Sequence, residues 1–412
     1  MDKNRIHLFR RRRETDKRYR RYVRCLTVIL LSVVMLCAGC TGKDAVGSSA
    51  GGSGEQTAAA DSRQNEAGSS TEAAPKTETA ATASRSWNNM SPVSSMDLLY
   101  ADQFSVDYYE NDISLITIGD TDQFLLLPEG MSAPVGLPDS IKILQKPVKN
   151  IYLVATSAMD DFIHLDAMDL IALSGTKDTG WYLPEARTAM EEGKIAYAGK
   201  YSAPDYEKIL SSDCGLAVES TMIYHTPEVK EQLERLGIPV LVERSSYEGH
   251  PLGRMEWIRL YGVLTGKEAE AEQVFRENMD ALSDVLDMEP SGKTAAFFYV
   301  TNSGSVNVRK NGDYIAKMIA LAGGTYIPGN AGSDENALST MNMDFESFYA
   351  AAKDADVLIY NSTIDGELTA IDELCAKNQL FADFKAVKEG NVWCTGKNMF
   401  QETMGLGDMI RD

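Results

Sequence analysis

The stretch from His250 to Met288, HPLGRMEWIRLYGVLTGKEAEAEQVFRENMDALSDVLDM, constrains the fold more than any other. Apolar residues recur at helical spacing at Ile258, Tyr261, Ala271, Val274, Phe275, Leu282, Val285 and Leu286, with Glu, Lys, Arg and Gln on the other face. Pro251 and Pro290 mark the ends, and Thr265-Gly266-Lys267-Glu268 predicts a kink or a very short break. At about 1.5 Å per residue, the roughly 34 residues from Met255 to Met288 would span about 50 Å. That is longer than a typical domain helix. Such a helix either packs inside one α/β domain or serves as a rigid strut between two lobes with a cleft between them.

Strand-like and helix-like segments alternate on both sides of it. Before it, strands are expected at 114–119, 123–128, 141–144, 151–155, 196–199, 215–219 and 239–242, and helices at 159–168, 183–192, 205–211 and 226–236. After it, strands are expected at 294–301, 357–360 and 391–394, and helices at 313–322, 344–352, 369–375 and 381–386. This alternation predicts α/β architecture, with parallel or mixed sheets flanked by helices. The two halves share a local grammar: a short helix with a Glu near its start (Glu207, Glu346), then a buried strand. A Glu in the first turn suits the positive end of the helix dipole, which by itself accounts for both.

Charge is distributed unevenly. Of 40 Lys/Arg and 60 Asp/Glu, residues 1–39 hold eleven and three, so the rest holds 29 and 57, a net of −28. That balance argues against a nucleic-acid partner. The basic start runs into an uncharged apolar segment of fourteen residues, Cys25–Ala38, as in a secretory signal peptide. It ends Leu36-Cys37-Ala38-Gly39-Cys40, which resembles a bacterial lipobox with Leu36 one place off the usual position and Cys40 as the lipidated first residue of the mature chain. An uncleaved membrane anchor is the alternative; both place the body outside the cytoplasm. Residues 40–92 are rich in Gly, Ser, Ala, Thr and Glu and read as a flexible tether. Cys214, Cys375 and Cys394 fit no metal motif and read as small buried hydrophobes, with at most one disulfide among them.

The order is thus lipobox, tether, α/β lobe, long helix with a Thr-Gly-Lys-Glu break, and second α/β lobe. Together with YSAPDYEKIL (201–210), EWIRLYGVLTGKEAEAEQVF (256–275), GDYIAKMIALAGGTYI (312–327) and MDFESFYAAAKDADVLIY (343–360), it resembles the substrate-binding lipoproteins of ABC importers, in the long-helix class that delivers iron–siderophore complexes, haem or cobalamin. The resemblance covers about residues 97–412. It implies a signal peptide at 1–39, a tether at 40–92, an N-terminal lobe at 93–252, an interlobe helix at 253–289, a C-terminal lobe at 290–412 and a ligand cleft between the lobes. Residues 114–135 look like an extra strand region found in a subgroup. The resemblance further implies a lipid anchor on the outer face of the cytoplasmic membrane, and docking of Glu207 and Glu346 onto arginines of a membrane permease.

Ligands of open α/β sheets bind beyond the carboxyl ends of the strands. In the first lobe that selects Ser157, Met159, Trp181, Tyr182, Ser220, Met222, Tyr224, Arg244 and Tyr247, and in the second Tyr299, Arg309, Tyr360 and Asn361. Aromatic and Met side chains with a few Arg suit a bulky, partly aromatic, anionic guest such as a ferric chelate, haem or a corrinoid. Tyr299 has an even choice between cleft and core, Arg254 serves either the ligand or the start of the strut, and Trp257 and Trp393 read as core. His164, His225 and His250 would have to converge for a bare metal ion. No Gly-x-Ser-x-Gly, P-loop or His-Glu-x-x-His motif is present, so no resident cofactor and no bond chemistry are expected. Asp160-Asp161 reads as a solvated helix start. The alternative function is a lipid-anchored sensor or binding protein for a free metal or other small molecule, not coupled to transport. The last residues, Gly405 to Asp412, read as the opening turn of a helix that is short or cut off.

Overall fold

The computed structural model describes residues 6–8, 85–329 and 340–412. Cys40 and the tether up to residue 84 lie outside the described residues. Within the segment read as a signal peptide, only Ile6 to Leu8 are described. His7–Leu8 form a strand, β1, whose place is in the second lobe.

A front sheet follows, made of β2 (Ser94–Ser95), β3 (Phe104–Tyr109), β4 (Ile113–Ile118), β5 (Asp122–Pro128) and β6 (Ile141–Lys146), in that spatial order. All its pairs are antiparallel except β5 with β6. Asn111 and Asp112, both at positive φ, make the tight turn between β3 and β4 that a right-twisted hairpin favours. The sheet is larger than the 114–135 region expected: it also holds β3, which alternates Phe104 and Val106 inward with Ser105 outward.

The first lobe runs β7 (Ile151–Leu153), α1 (Ala158–His164), β8 (Ile171–Ser174), α2 (Pro184–Glu191), β9 (Ala196–Tyr197), the small pair β10 (Gly199–Lys200) and β11 (Ala203–Pro204), α3 (Tyr206–Ser211), β12 (Ala217–Ser220), α4 (Pro227–Arg235) and β13 (Val240–Glu243). Proline opens α2 and α4, where its missing N–H would have no partner in the helix anyway. The sheet order is β13-β12-β7-β8-β9, all parallel. Both faces are covered, so the central strand IYL and even the edge strand VLVE are buried along their length. The strand order reverses between β7 and β12, which is where such sheets open a crevice at their carboxyl edge.

The stretch is two helices, α5 (Pro251–Thr265) and α6 (Glu268–Leu286), with the break at the expected Thr265–Glu268. Gly266, at φ 71°, caps α5 in the left-handed conformation. The chain then turns back on itself. A Cβ on Gly262 would lie 2.5 Å from that of Ala271, and Arg259 of α5 pairs with Glu272 of α6 at 3.0 Å. Met255 and Leu282 both come within contact of Gly407, although a straight helix would hold them about 40 Å apart. The long helix that joins the lobes is therefore α6 alone, 19 residues and about 28 Å.

The second lobe holds β14 (Thr294–Val300), β15 (Val306–Arg309), α7 (Tyr314–Leu321), β16 (Thr325–Ile327), β17 (Thr340–Met343), α8 (Phe345–Ala352), β18 (Val357–Tyr360), α9 (Ser362–Asp365), α10 (Ile371–Lys377), α11 (Lys385–Glu389), β19 (Val392–Cys394) and α12 (Leu406–Arg411). Its sheet order is β1-β19-β18-β14-β15-β17, with β16 also on β14. β1 adds in parallel to the edge of β19, and Ile6 beside it is buried in the core of this sheet. The chain is thus an α/β protein of two lobes, with the front sheet packed on the first.

One apolar core joins these parts. It includes Phe104, Val106 and Phe124 of the front sheet, Phe162 of α1, Trp257 and Tyr261 of α5, Phe275 of α6 and Ile315 of α7. Two buried carboxylates clasp the chain just before β3. Glu256 accepts from the backbone N–H of Leu99, Tyr100 and Ala101 at 2.8–3.2 Å. Glu248 accepts from those of Asp102 and Gln103 at 3.0 and 3.1 Å, and from Trp257 Nε1 at 2.8 Å.

Candidate ligand-binding site

The loops at the carboxyl ends of the two sheets meet. The segment after β19 crosses to the first lobe. Gln401 accepts from Tyr182 N at 2.8 Å and donates to Gly180 O at 2.9 Å. Thr403 Oγ1 donates to Ser157 O, and Met404 N to Asp160 Oδ2, each at 2.9 Å. Arg254 spans the lobes as well, lying 3.8 Å from the ring centre of Tyr314 while its Nε donates to Ser245 O at 2.8 Å. These fastenings hold one side of the crevice and leave its rim to the remaining loop residues.

On that rim Tyr182, Met222 and Tyr224 are exposed, and Ser220 and Tyr247 are half-buried. Arg244 stands among them. Its Nε and NH2 donate to Gln103 Oε1 at 3.1 and 2.8 Å, its NH1 to Tyr224 Oη at 3.2 Å, and its guanidinium lies 4.8 Å from the centre of the Tyr247 ring. Arg309 sits at the other lobe between the rings of Phe297 and Phe400, at 5.8 and 5.5 Å, with Asp313 at 3.5 Å. Its charge is thus partly committed inside the protein. Lys317, on α7, faces the first lobe closely enough to lower the pKa of His250, after the larger effect of burial. Sequence reasoning did not single out Lys317 or Gln401; the signal for both lies in contacts across the crevice, not in local pattern.

Four of the expected ligand residues are buried. Trp181 is fully buried, with its Nε1 donating to Ser174 Oγ at 3.2 Å. Met159, on α1, is fully buried in the shared core. Tyr360 is fully buried among the second-lobe aromatics, edge-on to Phe298 at 5.7 Å. Asn361 is buried and caps α9 by accepting from Thr363 N. Tyr299 is half-buried against the second-lobe core, and Ser157 donates to Glu243 Oε2 at 2.9 Å.

Asp160-Asp161 is not solvated. Both side chains are about 1% exposed, and Glu243 is buried beside them. Asp160 accepts from Met404 N and lies 3.4 Å from His164. Burial, then the negative charges of Asp160 and Glu243, raise the pKa of Asp161 well above the ordinary carboxylate range. The pair braces the lobe junction. His225 is exposed, and His250 caps α5 by accepting from Leu252 N at 3.2 Å. Among the described residues, no three His, Cys, Asp or Glu side chains form a group that could hold a metal ion. Cys214, Cys375 and Cys394 are free thiols.

An apolar groove of about 360 Å³ runs along the second sheet, lined by Phe297, Ile319, Ile359, Trp393, Met399 and Ile410 among others. It contains none of the expected ligand residues. Among the described residues, no helix is long and apolar enough to cross a membrane.

Glu207 and Glu346 have matching settings. Each follows an aromatic residue in the first turn of its helix, α3 or α8, and each is exposed. Each helix is capped by an Asp: Asp205 accepts from Lys208 N at 3.0 Å and Asp344 from Ser347 N at 2.7 Å. The Asp caps satisfy the helix ends, so neither glutamate is needed for that task.

A family model described as periplasmic binding protein matches residues 154–399. The chain is 26% identical over 334 residues to an uncharacterized lipoprotein of Methanocaldococcus jannaschii, covering 74% of this chain and 77% of that one. A second uncharacterized lipoprotein of the same organism is 26% identical over 307 residues, 71% and 75% of the two chains. Among solved structures, the petrobactin-binding protein YclQ from Bacillus subtilis superposes with a TM-score of 0.52 at 14% identity, covering 65% of this chain and 91% of that one. The periplasmic haem-binding protein HutB of Vibrio cholerae gives 0.51 at 15%, covering 64% and 97%. At such identities the likeness is one of fold. With a family match over more than half its length and two lobes whose strand ends meet, the chain belongs to the periplasmic binding protein family.

Proposed function

We propose that the protein is the extracytoplasmic solute-binding component of an ABC importer, anchored by a lipid on Cys40, that captures an iron–siderophore complex and delivers it to the permease. Haem and cobalamin are the alternative guests of the same site. The observation that carries the reading is Arg244, held at the crevice rim among Tyr224, Tyr247 and exposed Met222. Arg254 and Lys317 add positive charge where the lobes meet, and Arg309, partly paired with Asp313, adds to it from the second lobe. An anionic chelate with aromatic arms meets cations that match carboxylate or catecholate and rings that supply contact area. The ligand-binding set is then Ser157, Tyr182, Ser220, Met222, Tyr224, Arg244, Tyr247, Tyr299 and Arg309. The names of the structural neighbours, petrobactin-binding and haem-binding, support the same class of guest.

Delivery follows from the outer surface. Glu207 and Glu346 stand one on each lobe, on capped helices that present a carboxylate without needing it for their own stability. Two such charges fix the orientation of a partner carrying arginines. The α6 strut and the 401–404 crossing limit closure to small movements of the lobes.

The test is titration calorimetry of the mature protein with a ferric catecholate, a ferric hydroxamate, haem and cobalamin. A ferric chelate should bind with a dissociation constant on the order of 1 μM or tighter. No heat and no competition across the four ligands would overturn the reading.

A further inference from the structure

The front sheet lies outside residues 154–399, yet Gln103, the residue that leads into β3, reaches the proposed site. We propose that Gln103 is a positioning residue that aims the Arg244 guanidinium into the crevice, which makes the front sheet part of the ligand site. This deepens the reading of Arg244 as an anion-binding group and rests on it.

The geometry is built in three steps. First, the backbone before β3 is clasped by Glu248 and Glu256, and the N–H of Gln103 itself is one of the clasped groups. Gln103 O accepts from Gly119 N at 2.8 Å, so the residue is held on both sides of its α-carbon. Second, the amide is oriented. Nε2 donates to Asp102 Oδ1 at 2.6 Å, which leaves Oε1 as the acceptor facing Arg244. Third, that single oxygen accepts from both Nε and NH2 of Arg244, fixing the plane of the guanidinium. Gly119, at φ 57°, lets the chain pass close by; a Cβ there would meet Arg244 Nε at 3.4 Å. Three of the five guanidinium N–H groups serve Gln103 and Tyr224, and the others are available to an anion.

The chemistry needs an amide and not a carboxylate. A neutral oxygen orients the guanidinium and leaves its charge for the ligand, whereas a carboxylate would neutralise it in a charge-assisted pair. Gln103→Glu therefore keeps the position and removes the charge. Gln103→Ala keeps the charge and removes the position.

Binding of a ferric tris-catecholate is measured for both variants at several salt concentrations, with thermal midpoints in parallel. Gln103→Glu should weaken binding by about tenfold or more and flatten its salt dependence. Gln103→Ala should weaken it by roughly threefold to tenfold while keeping the salt dependence. A merely structural Gln103 would shift the midpoints and leave the salt dependence of both variants alike, which overturns the proposal. A ligand-free readout separates this from failure of the site as a whole. Phenylglyoxal modification of Arg244, followed by mass spectrometry, should run about threefold faster or more in Gln103→Ala. If no chelate binds the wild type, the proposed function fails, and the modification rate still decides whether Gln103 holds Arg244. An equal rate in wild type and Gln103→Ala overturns the inference.

Discussion

Glu219 should make the first lobe sensitive to pH in a window that covers neutrality. It lies on β12 on the same face as Ala217, toward the cluster of Val154, Ile209, Ile223 and Val242 beneath α3 and α4. The side chain is fully buried, and among the described residues neither carboxylate oxygen has a hydrogen-bond partner. Burial raises its pKa from 4.5 to about 8. In an unfolded chain the group titrates near 4.5, so below that pH both states carry the proton and Glu219 costs little. As the pH rises past 4.5 the unfolded state releases the proton and the native state keeps it. Stability then falls by about 1.4 kcal/mol per pH unit until about pH 8, where the native carboxyl also ionises and the loss levels off. Across the window the loss approaches about 5 kcal/mol, a large share of the stability of an ordinary domain. Glu219→Gln keeps the shape and abolishes the titration. Urea unfolding of both proteins at pH 5, 6, 7 and 8 should show the variant gaining on the wild type by roughly 3–4 kcal/mol between the extremes. Parallel stability profiles over that range would refute the argument, because they would mean that Glu219 is solvated or paired.

Three further outcomes follow from the geometry. Replacing Glu207 and Glu346 together with Ala should abolish uptake in cells while calorimetric ligand affinity stays within about twofold; a loss of affinity would move these residues from docking to ligand binding. Trp181→Ala should lower stability by about 3–5 kcal/mol in chemical denaturation, as for a buried aromatic, and a variant as stable as the wild type that failed only in ligand binding would return Trp181 to the crevice. Gly262→Val should destabilise by about 1–3 kcal/mol, since its side chain enters the space of Ala271 where α5 and α6 cross; an unchanged unfolding midpoint would argue against the back-folded pair.

What was legible in the sequence is what local physics decides. The buried parallel strands announce themselves as short apolar runs such as PVLV and TAAFFYVT, and helix starts carry their Pro or Asp. Glu207 and Glu346 belong to the same class of local pattern: Asp, aromatic, Glu in the opening turn is a pattern of three neighbours, repeated in α3 and α8. What was not legible depends on partners far along the chain. The helical period runs unbroken in character on both sides of Gly266, so a kink and a reversal look alike; only the meeting of Gly262 with Ala271 and of Arg259 with Glu272 makes it a reversal. Trp181 and Tyr182 are adjacent, yet one enters the core and the other the rim, because Ser174 takes the indole N–H and Gln401 the Tyr182 backbone N–H. Asp160 looked solvated because its partner Met404 is 244 residues away.

The same division explains where binding residues arise in this fold. A strand's carboxyl end fixes which loop faces the crevice, and periodicity finds that loop. Which side chain of the loop enters the crevice is then decided by whatever competes for it. Ser174 claims Trp181 and Thr363 claims Asn361. Arg244 has claimants too, Gln103 and Tyr224, but their hydrogen bonds leave it half-buried instead of drawing it into the core. A guanidinium that commits three of its five N–H groups is oriented without being used up, and that is the condition the proposed ligand-binding role of Arg244 requires.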